Sequence, residues 1–293
     1  MCYHKSLVAK YNDLLDHYSA TFDSVTSELE QLKDRYSILM SKDQKTDPYS
    51  KEEAKELKDL QKITNAYTDT EYRMYHENGF DYMPSPIITA GAPAEFKLLR
   101  WGLIPFFMSD RAKAFALRPS TLNCISEEMY EKRSFQDAAK NGQRCLIPVT
   151  GFYEWRWVDE KGKVKIPYYV SFKEQPIISV AGLYSRWKDK SNDEYYYSYT
   201  VLTTQANGLM EYVHNNKKRM PVIIAKEYEK DWLNKDLSKD DVLALCQPFK
   251  KEAMKANTIS KLITTREADT NVDEVLKLHN YEKVGTDEIV SEL

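Results

Sequence analysis

Short apolar runs dominate the chain from about residue 80, and they constrain its fold more than any other feature. They are rich in Val, Ile, Tyr, Phe and Trp and are separated by Gly, Pro, Asn and Asp, as strands are separated by turns. The runs are Leu98–Ile104, Arg144–Trp155, Pro167–Phe172, Ile177–Leu183, Tyr195–Thr203 and Met220–Ile224. Most connections are too short for the crossover that parallel pairing needs. The pattern therefore predicts an α+β protein with twisted, mainly antiparallel sheets.

The first 70 residues show helical spacing instead. An apolar seam in steps of four and three predicts one long helix over residues 11–40. Ser50 and Glu53 form a capping box that starts a second helix, whose apolar stripe reaches Tyr67. The two helices should form an antiparallel hairpin inserted at about residues 11–67, with a dimerising coiled coil as the alternative. The seam consists of Tyr18, Phe22, Val25, Leu29, Leu32, Tyr36 and Leu39.

The remaining helices are expected at the edges of the strand-rich region. One is predicted over Glu127–Asn141, closed by Gly142, and another pair over residues 226–247. From residue 248 the chain is polar, with a short helix at Val272–His279. We therefore expect one domain over residues 1–247 and a polar extension over 248–293 that packs on it.

Composition restricts the classes of partner. The 293 residues carry a net charge of -3, yet residues 97–220 hold 20 Lys and Arg against 13 Asp and Glu, so this part is +7 and the remainder -10. A basic middle suits phosphate contact, although a solvated mixed-charge surface explains the count equally well. No run is long enough to span a membrane. The four cysteines have no metal-ligand spacing, so we expect reduced thiols, no metal, no cofactor and a cytoplasmic location.

Cys2 follows the initiator Met1, and this position gives it a possible chemistry. Removal of Met1 would leave an amine and a thiol on one residue. Such a pair condenses with an aldehyde, first to an imine and then to a five-membered thiazolidine. The amine titrates near ~7.7–8.0 and the thiol near ~8.5, so both are partly nucleophilic at neutral pH. Taken alone, a cysteine at position 2 is more often a matter of chance.

Other polar residues lie in apolar surroundings. Glu154 stands between two aromatic residues near a strand end, where a carboxyl can exchange protons, and His214 precedes a basic loop. Asn123 could orient a substrate oxygen or complete a turn. Trp101 could stack on a base and Arg100 could bind phosphate. Each residue also has an ordinary structural explanation, which is the commoner one when the residue is taken singly.

The order of these residues resembles the SOS response-associated peptidase (SRAP) family. The block from Gly151 to Trp155 is the most specific part of this resemblance. The matching blocks are Met1-Cys2, Arg100–Pro105, Asn123, Arg144–Pro148, Gly151–Trp155, Ala181–Tyr184, Thr203–Asn207 and His214 with Arg219–Ile223. Together they cover Cys2 and roughly residues 76–235.

The resemblance implies a barrel-like SRAP core with flanking helices, and a sensor of abasic sites in single-stranded DNA. It implies that the protein removes its own Met1 and links Cys2 to the ring-opened sugar aldehyde as a thiazolidine. It also implies that Glu154 is the acid and base, that His214 assists ring opening, and that Asn123 positions Cys2 or the sugar. Trp101 and Pro105 would then shape the DNA cleft, and Arg100 and Arg219 would contact phosphates. The partner would be abasic single-stranded DNA, bound by a monomer that joins the nucleoid on damage.

Some positions depart from the family pattern. Tyr3 and His4 replace the usual Gly and Arg, and Ile125 stands where the family commonly has Arg. These changes concern phosphate contact more than the chemistry of Cys2. Two other functions stay open: an N-terminal-nucleophile cysteine amidohydrolase, which the low count of 9 Gly disfavours, and an inert module that binds single-stranded DNA.

Overall fold

The computed structural model describes residues 2–265 and 268–281. Its strands belong to two mainly antiparallel sheets, which confirms the α+β class predicted from the apolar runs. The strands are β1 His4–Lys10, β2 Glu71–Asn78, β3 Pro84–Thr89, β4 Ala92–Trp101, β5 Asn123–Ile125, β6 Arg144–Val149, β7 Gly151–Trp157, β8 Lys165–Phe172, β9 Ile178–Lys188, β10 Tyr195–Gln205, β11 Arg219–Pro221, β12 Ile223–Ile224 and β13 Met254–Thr258.

The N-terminal strand β1 is an interior strand of its sheet, one position from the edge strand β2. The five-stranded sheet has the order β13-β8-β7-β1-β2, and β1 pairs antiparallel with both of its neighbours. The eight-stranded sheet follows β11-β10-β4-β3-β6-β9-β12, with β5 beside β10. Among the strands of the described residues, only the pairs of β10 with β4 and with β5 are parallel. Apolar side chains between the layers form the core, which includes Cys2, Trp101 and Leu122 in one cluster.

Eight α-helices surround these sheets in the described part of the chain. They are α1 Tyr11–Tyr18, α2 Asp23–Met40, α3 Lys51–Ala66, α4 Arg111–Leu117, α5 Gln136–Lys140, α6 Gly208–Val213, α7 Glu229–Leu233 and α8 Lys239–Ala244. The predicted pair over 226–247 corresponds to α7 and α8. The prediction over Glu127–Asn141 was mostly wrong, because short turns occupy residues 129–135 and only α5 is α-helical. Gly142 follows α5 with a φ of 62°, the left-handed conformation expected of a glycine that ends a helix.

The prediction of a single helix over residues 11–40 was also wrong. Ser19 adopts a left-handed φ of 50°, and the chain leaves the helix there to hydrogen-bond with β4 through Thr21. The apolar spacing nevertheless survives, because Tyr18 and Phe22 both pack against the ring of Phe96. Apolar residues on both sides of the interruption contact the same buried ring. The sequence pattern therefore resembles that of one continuous helix although the helix is interrupted.

Helices α2 and α3 form the predicted antiparallel hairpin. Arg35 of α2 pairs with Glu56 of α3, and Lys42, just after the end of α2, pairs with Glu53 near the start of α3, so the two helices run in opposite directions. Ser50 caps α3 by accepting a hydrogen bond from the Glu53 amide, while the Glu53 side chain accepts one from the Ser50 amide. The predicted capping box is therefore confirmed.

Replacing Ser50 with Ala should destabilise α3 by about 1 kcal/mol, because the Glu53 amide loses its acceptor at the helix start. Hydrogen exchange of the α3 amides measures this loss. The matched control is Ser27→Ala at an exposed position inside α2, which should change stability by less than ~0.5 kcal/mol. Equal effects of the two substitutions would show that the cap contributes nothing specific.

The segment after residue 248 contributes to the five-stranded sheet. Strand β13 pairs with β8 from Met254 to Thr258, which the sequence did not predict. Val272–His279 was predicted as a helix and contains one 3-10 turn, Asp273–Leu276. The division of the chain at 247 and 248 stays a prediction. Among the described residues, no helix has both the length and the apolar character that crossing a membrane requires.

Candidate active site

Cys2 lies two residues before β1 and is buried. Its side chain is 3% exposed, and its thiol donates to the carbonyl oxygen of His4 at 3.4 Å. Burial raises the pKa of the thiol to about 12, with the nearby Glu154 carboxylate acting in the same direction. The sulfur is therefore a thiol, and not a thiolate, at neutral pH.

Glu154 and His214 meet beside Cys2. Glu154 lies on β7 opposite Tyr168 of β8, and it is 3% exposed. His214 ends α6 and is 6% exposed. The His214 Nε2 atom is 3.8 Å from a Glu154 carboxylate oxygen. The structure thus brings together a buried carboxyl and an imidazole, the two groups that the sequence predicted for proton transfer.

The backbone fixes which nitrogen of His214 carries a proton. Its Nδ1 atom is 2.9 Å from the carbonyl oxygen of Arg219, which can only accept, so Nδ1 is the donor. The remaining nitrogen, Nε2, is directed towards Glu154 and is the one that can gain or release a proton. The loop between His214 and Arg219 is held by Asn215, whose side chain makes two hydrogen bonds with the backbone of Trp157.

An open cleft of about 370 Å³ lies over these two groups. Its floor and walls include two half-buried tryptophans and two exposed lysines, which suit contact with bases and with phosphates respectively. The residues that line the cleft are Tyr3, His4, Glu154, Trp155, Trp157, Lys165, His214, Asn216 and Lys217.

Gly151 allows β7 to reach this position. The ring of Tyr169 lies directly against the Gly151 backbone, in the space where any side chain would have its Cβ atom. The hydroxyl of Tyr169 then shares a hydrogen bond with Ser6 of β1 at 3.0 Å. This close approach explains why the block that ends in Glu154 and Trp155 begins with glycine.

Asn123 is buried at the start of β5, next to Val201 of β10. It is 9% exposed, and its side-chain amide makes no hydrogen bond with any other described residue. The preceding Leu122 packs in the same apolar cluster as Cys2. A buried amide without a partner costs free energy, so a ligand that supplies one is favoured here.

Trp101 occupies the core and not the cleft. It has no exposed surface, its Nε1 donates to the carbonyl oxygen of Leu122 at 2.6 Å, and it stacks on Tyr199. It therefore offers no face to a DNA base in this arrangement. Pro105 is also buried, and the exposed aromatic rings beside it belong to Phe106 and Phe107.

Neither predicted arginine has its charge available in the cleft. The Arg100 guanidinium lies 5.4 Å from the centre of the Tyr196 ring. Arg219 makes two hydrogen bonds of 2.8 Å with the Glu127 carboxylate and another with the carbonyl oxygen of Thr203. This pairing holds the pKa of Glu127 below its usual range. A phosphate would have to displace Glu127 to reach Arg219.

Two residues, one lining the cleft and one behind it, were absent from the candidates that the sequence suggested. Lys165 lies with its Nζ atom 4.9 Å from the centre of the Trp157 ring, on the strand after Glu154. The alternation of Lys161, Lys163 and Lys165 was a visible signal for a basic edge. His76 contacts the site through His4, and nothing in the sequence connects these two residues.

The chain belongs to the SOS response associated peptidase (SRAP) family, whose sequence model matches residues 35–266. This finding confirms the resemblance stated from the motifs. It also agrees with the fold, because a crystal structure of a protein from Bacteroides thetaiotaomicron superposes with a TM-score of 0.74 at 31% identity. That superposition covers 95% of this chain and 100% of the other.

Several relatives have names that state a process. Abasic site processing protein YoqW of Bacillus subtilis is 35% identical over 194 residues, which are 66% of this chain and 81% of the relative. Abasic site processing protein YoaM of the same organism is 34% identical over 196 residues, covering 67% and 81%. Abasic site processing protein HMCES of Xenopus tropicalis is 30% identical, covering 52% of this chain and 49% of the relative.

Proposed function

We propose that this protein processes abasic sites in DNA, as the names of its relatives state for them. In this proposal it removes its own Met1 and then binds an abasic site in single-stranded DNA. The amine and thiol of Cys2 join the ring-opened sugar aldehyde as a thiazolidine. The observation that carries the proposal is the contact of Glu154 with His214 in the cleft, next to the buried Cys2, on whose thiol the Glu154 carboxylate acts.

The protonation of Cys2 supports an order of steps. Because burial raises the pKa of the thiol to about 12, the amine is the better nucleophile at neutral pH. The amine nitrogen attacks the aldehyde carbon, and the carbinolamine loses water when Glu154 protonates the leaving hydroxyl. The sulfur then attacks the imine carbon, and the thiol proton passes to the nitrogen. The sum of these steps is one thiazolidine and one water molecule.

Ring opening of the sugar needs a proton transfer of its own. The hemiacetal hydroxyl must lose a proton while the ring oxygen gains one. His214 is suited to this transfer, because its Nδ1–H is held by a carbonyl oxygen and its Nε2 is directed to the cleft side. The buried amide of Asn123 is suited to hold a sugar oxygen.

A denaturing gel tests this proposal directly. The purified protein is incubated with a single-stranded oligonucleotide that contains one abasic site, and a heat-stable, slower band is expected. An intact oligonucleotide of the same sequence is the control and should give no band. Intact mass should show the loss of Met1 and the mass of one DNA strand less one water. Glutamine hydrolysis without an adduct would instead favour the amidohydrolase function.

Freeing Arg219 should strengthen binding to single-stranded DNA. In Glu127→Gln the carboxylate that occupies Arg219 becomes neutral, so a phosphate can replace it. We expect the slope of log affinity against log salt to steepen by about 0.7, the value for one more phosphate contact on a single strand. Fluorescence anisotropy with an intact oligonucleotide measures this slope without the chemistry.

Glu128→Gln is the matched control for this substitution. It changes the net charge equally, but Glu128 pairs with Lys132 at an exposed position. The salt slope of Glu128→Gln should stay close to that of the unaltered protein. Identical slopes for the two variants would remove Arg219 from the set of phosphate contacts.

A further inference from the structure

His4 and His76 form a direct contact that the proposed chemistry has not used. The Nδ1 atom of His4 lies 2.8 Å from Nε2 of His76, and Nδ1 of His76 lies 2.8 Å from the hydroxyl oxygen of Thr270. His4 lines the cleft, and Thr270 is half-buried in the C-terminal segment. Two imidazoles and one hydroxyl therefore form a continuous chain that leads from the cleft to another part of the surface.

Both rings are neutral at neutral pH. Burial lowers the pKa of His4 to about 4, and burial together with the charge of His4 lowers that of His76 to about 3. Each ring then carries one proton, so a single proton lies between the two facing nitrogens. The tautomer of one ring consequently fixes the tautomer of the other.

The charged groups around the pair balance each other. The Asp81 carboxylate favours the charged form of His4, whereas the Lys62 ammonium disfavours that of His76, and these two form an ion pair of 2.7 Å. The remaining neighbours are rings: Trp155 of β7 edge-on to His4, and Tyr153 of β7 edge-on to His76. On the cleft side the titratable groups are Tyr3, Glu154, Lys165, His214 and Lys217.

We propose that His4, His76 and Thr270 form a proton relay between the cleft and bulk solvent, with His4 as the residue that takes the proton from the Cys2 ammonium. The inference rests on the proposed function for the identity of that proton. The nitrogen of Cys2 precedes His4 by two residues, which is roughly 7 Å of extended chain and too long for a single bridging water, so a chain of two waters in the open cleft would carry the proton between them. The ammonium must lose this proton before the amine can attack an aldehyde.

The transfer balances without leaving a charge on either ring. Nε2 of His4 gains the proton from the cleft, and the Nδ1 proton of His4 passes to Nε2 of His76. The Nδ1 proton of His76 passes to the oxygen of Thr270, whose own proton leaves to water. Each ring ends in its other neutral tautomer, so the low pKa values of the buried rings do not oppose the process.

The relay also explains the residue at position 4. The SRAP pattern commonly has arginine there, and a guanidinium beside His76 would be a buried charge whose nearby carboxylate, Asp81, is already paired with Lys62. Histidine instead pairs with His76 across β1 and β2. His4 would thus exchange a phosphate contact for a proton pathway, while Lys165 and Lys217 supply positive charge to the cleft.

The variant His76→Gln tests the relay, because glutamine keeps a hydrogen-bonding group at position 76 but cannot accept a proton and release another. Adduct formation with the abasic oligonucleotide should slow by roughly 100-fold, the low end of what proton transfer contributes. Added imidazole buffer should restore the rate in His76→Gln and leave the unaltered protein unchanged. A wild-type rate in His76→Gln, or a slow rate that imidazole does not raise, would overturn the relay.

A second measurement does not involve DNA. Ring-nitrogen NMR at pH 6 reports the tautomers of His4 and His76, and Thr270→Val should change their balance while Thr270→Ser should not. The matched control is Thr264→Val, at an exposed position outside the chain of contacts. An unchanged balance in Thr270→Val overturns the relay. A changed balance in a protein that forms no adduct keeps the relay and rejects the proposed function.

Discussion

The Cys2→Ala variant should form no heat-stable adduct with abasic single-stranded DNA. The thiazolidine needs the amine and the sulfur on one residue, and alanine supplies only the amine. The variant should still form an imine if Met1 is removed, because its terminal amine is unaltered. Borohydride reduction before the gel should trap that imine as a stable band, so the two steps separate. The yield of the unreduced adduct should fall to background.

The matched control is Cys246→Ala. Cys246 is also a buried free thiol, but it lies just after α8, away from the cleft. Its thiol donates a hydrogen bond to the carbonyl oxygen of Val242. Its adduct yield should equal that of the unaltered protein. A normal yield in Cys2→Ala, with the fold intact by circular dichroism, would reject the thiazolidine mechanism.

Glu154→Gln should slow both the formation and the reversal of the adduct by about 100-fold. The amide has the shape of the carboxyl but cannot donate a proton to the leaving hydroxyl or take it back. Because a group that transfers protons lowers one barrier for both directions, the final yield should stay the same. Rates from quenched time courses, together with the end-point yield, measure the effect.

The control for this substitution is Glu160→Gln, in the exposed turn between β7 and β8. It removes the same charge at an exposed position that does not line the cleft. A loss of final yield in Glu154→Gln with a normal rate would assign Glu154 to DNA binding. Wild-type rates in both directions would remove Glu154 from the mechanism.

The strands that could be predicted are those whose residues are apolar on both faces. All six residues of β6 are buried, and the first six of β9 are buried too, so both appear as continuous apolar runs. Strand β1 gave no such signal. Its Lys5 is buried in an ion pair with Glu77 at 2.5 Å, and its Ser6 bonds to Tyr169. Buried polar residues with partners far along the chain resemble surface residues when only the sequence is known.

The site could also be predicted only in part, because some of its contacts join segments that lie far apart in the sequence. Glu154 and His214 belong to recognisable blocks, and the fold brings their side chains together, while their roles stay predictions. The contact of His4 with His76 depends on the pairing of β1 with β2, and the sequence predicted neither strand. The pairing of Arg219 with Glu127 was equally hidden, because it joins two segments 92 residues apart.

The interior position of β1 in its sheet has a mechanical consequence for any DNA joined to Cys2. Strand β1 is paired with β2 from His4 to Lys10 and with β7 from His4 to Ser6, and Cys2 lies two residues before it. A force that pulls on the DNA would load β1 along its own axis, so its ladder bonds to both neighbours would have to shear together and not open one by one. A motor protein that moves along the joined DNA would therefore pull against the hydrogen bonds of the whole sheet. Releasing the DNA would require chemistry or the unfolding of the whole domain.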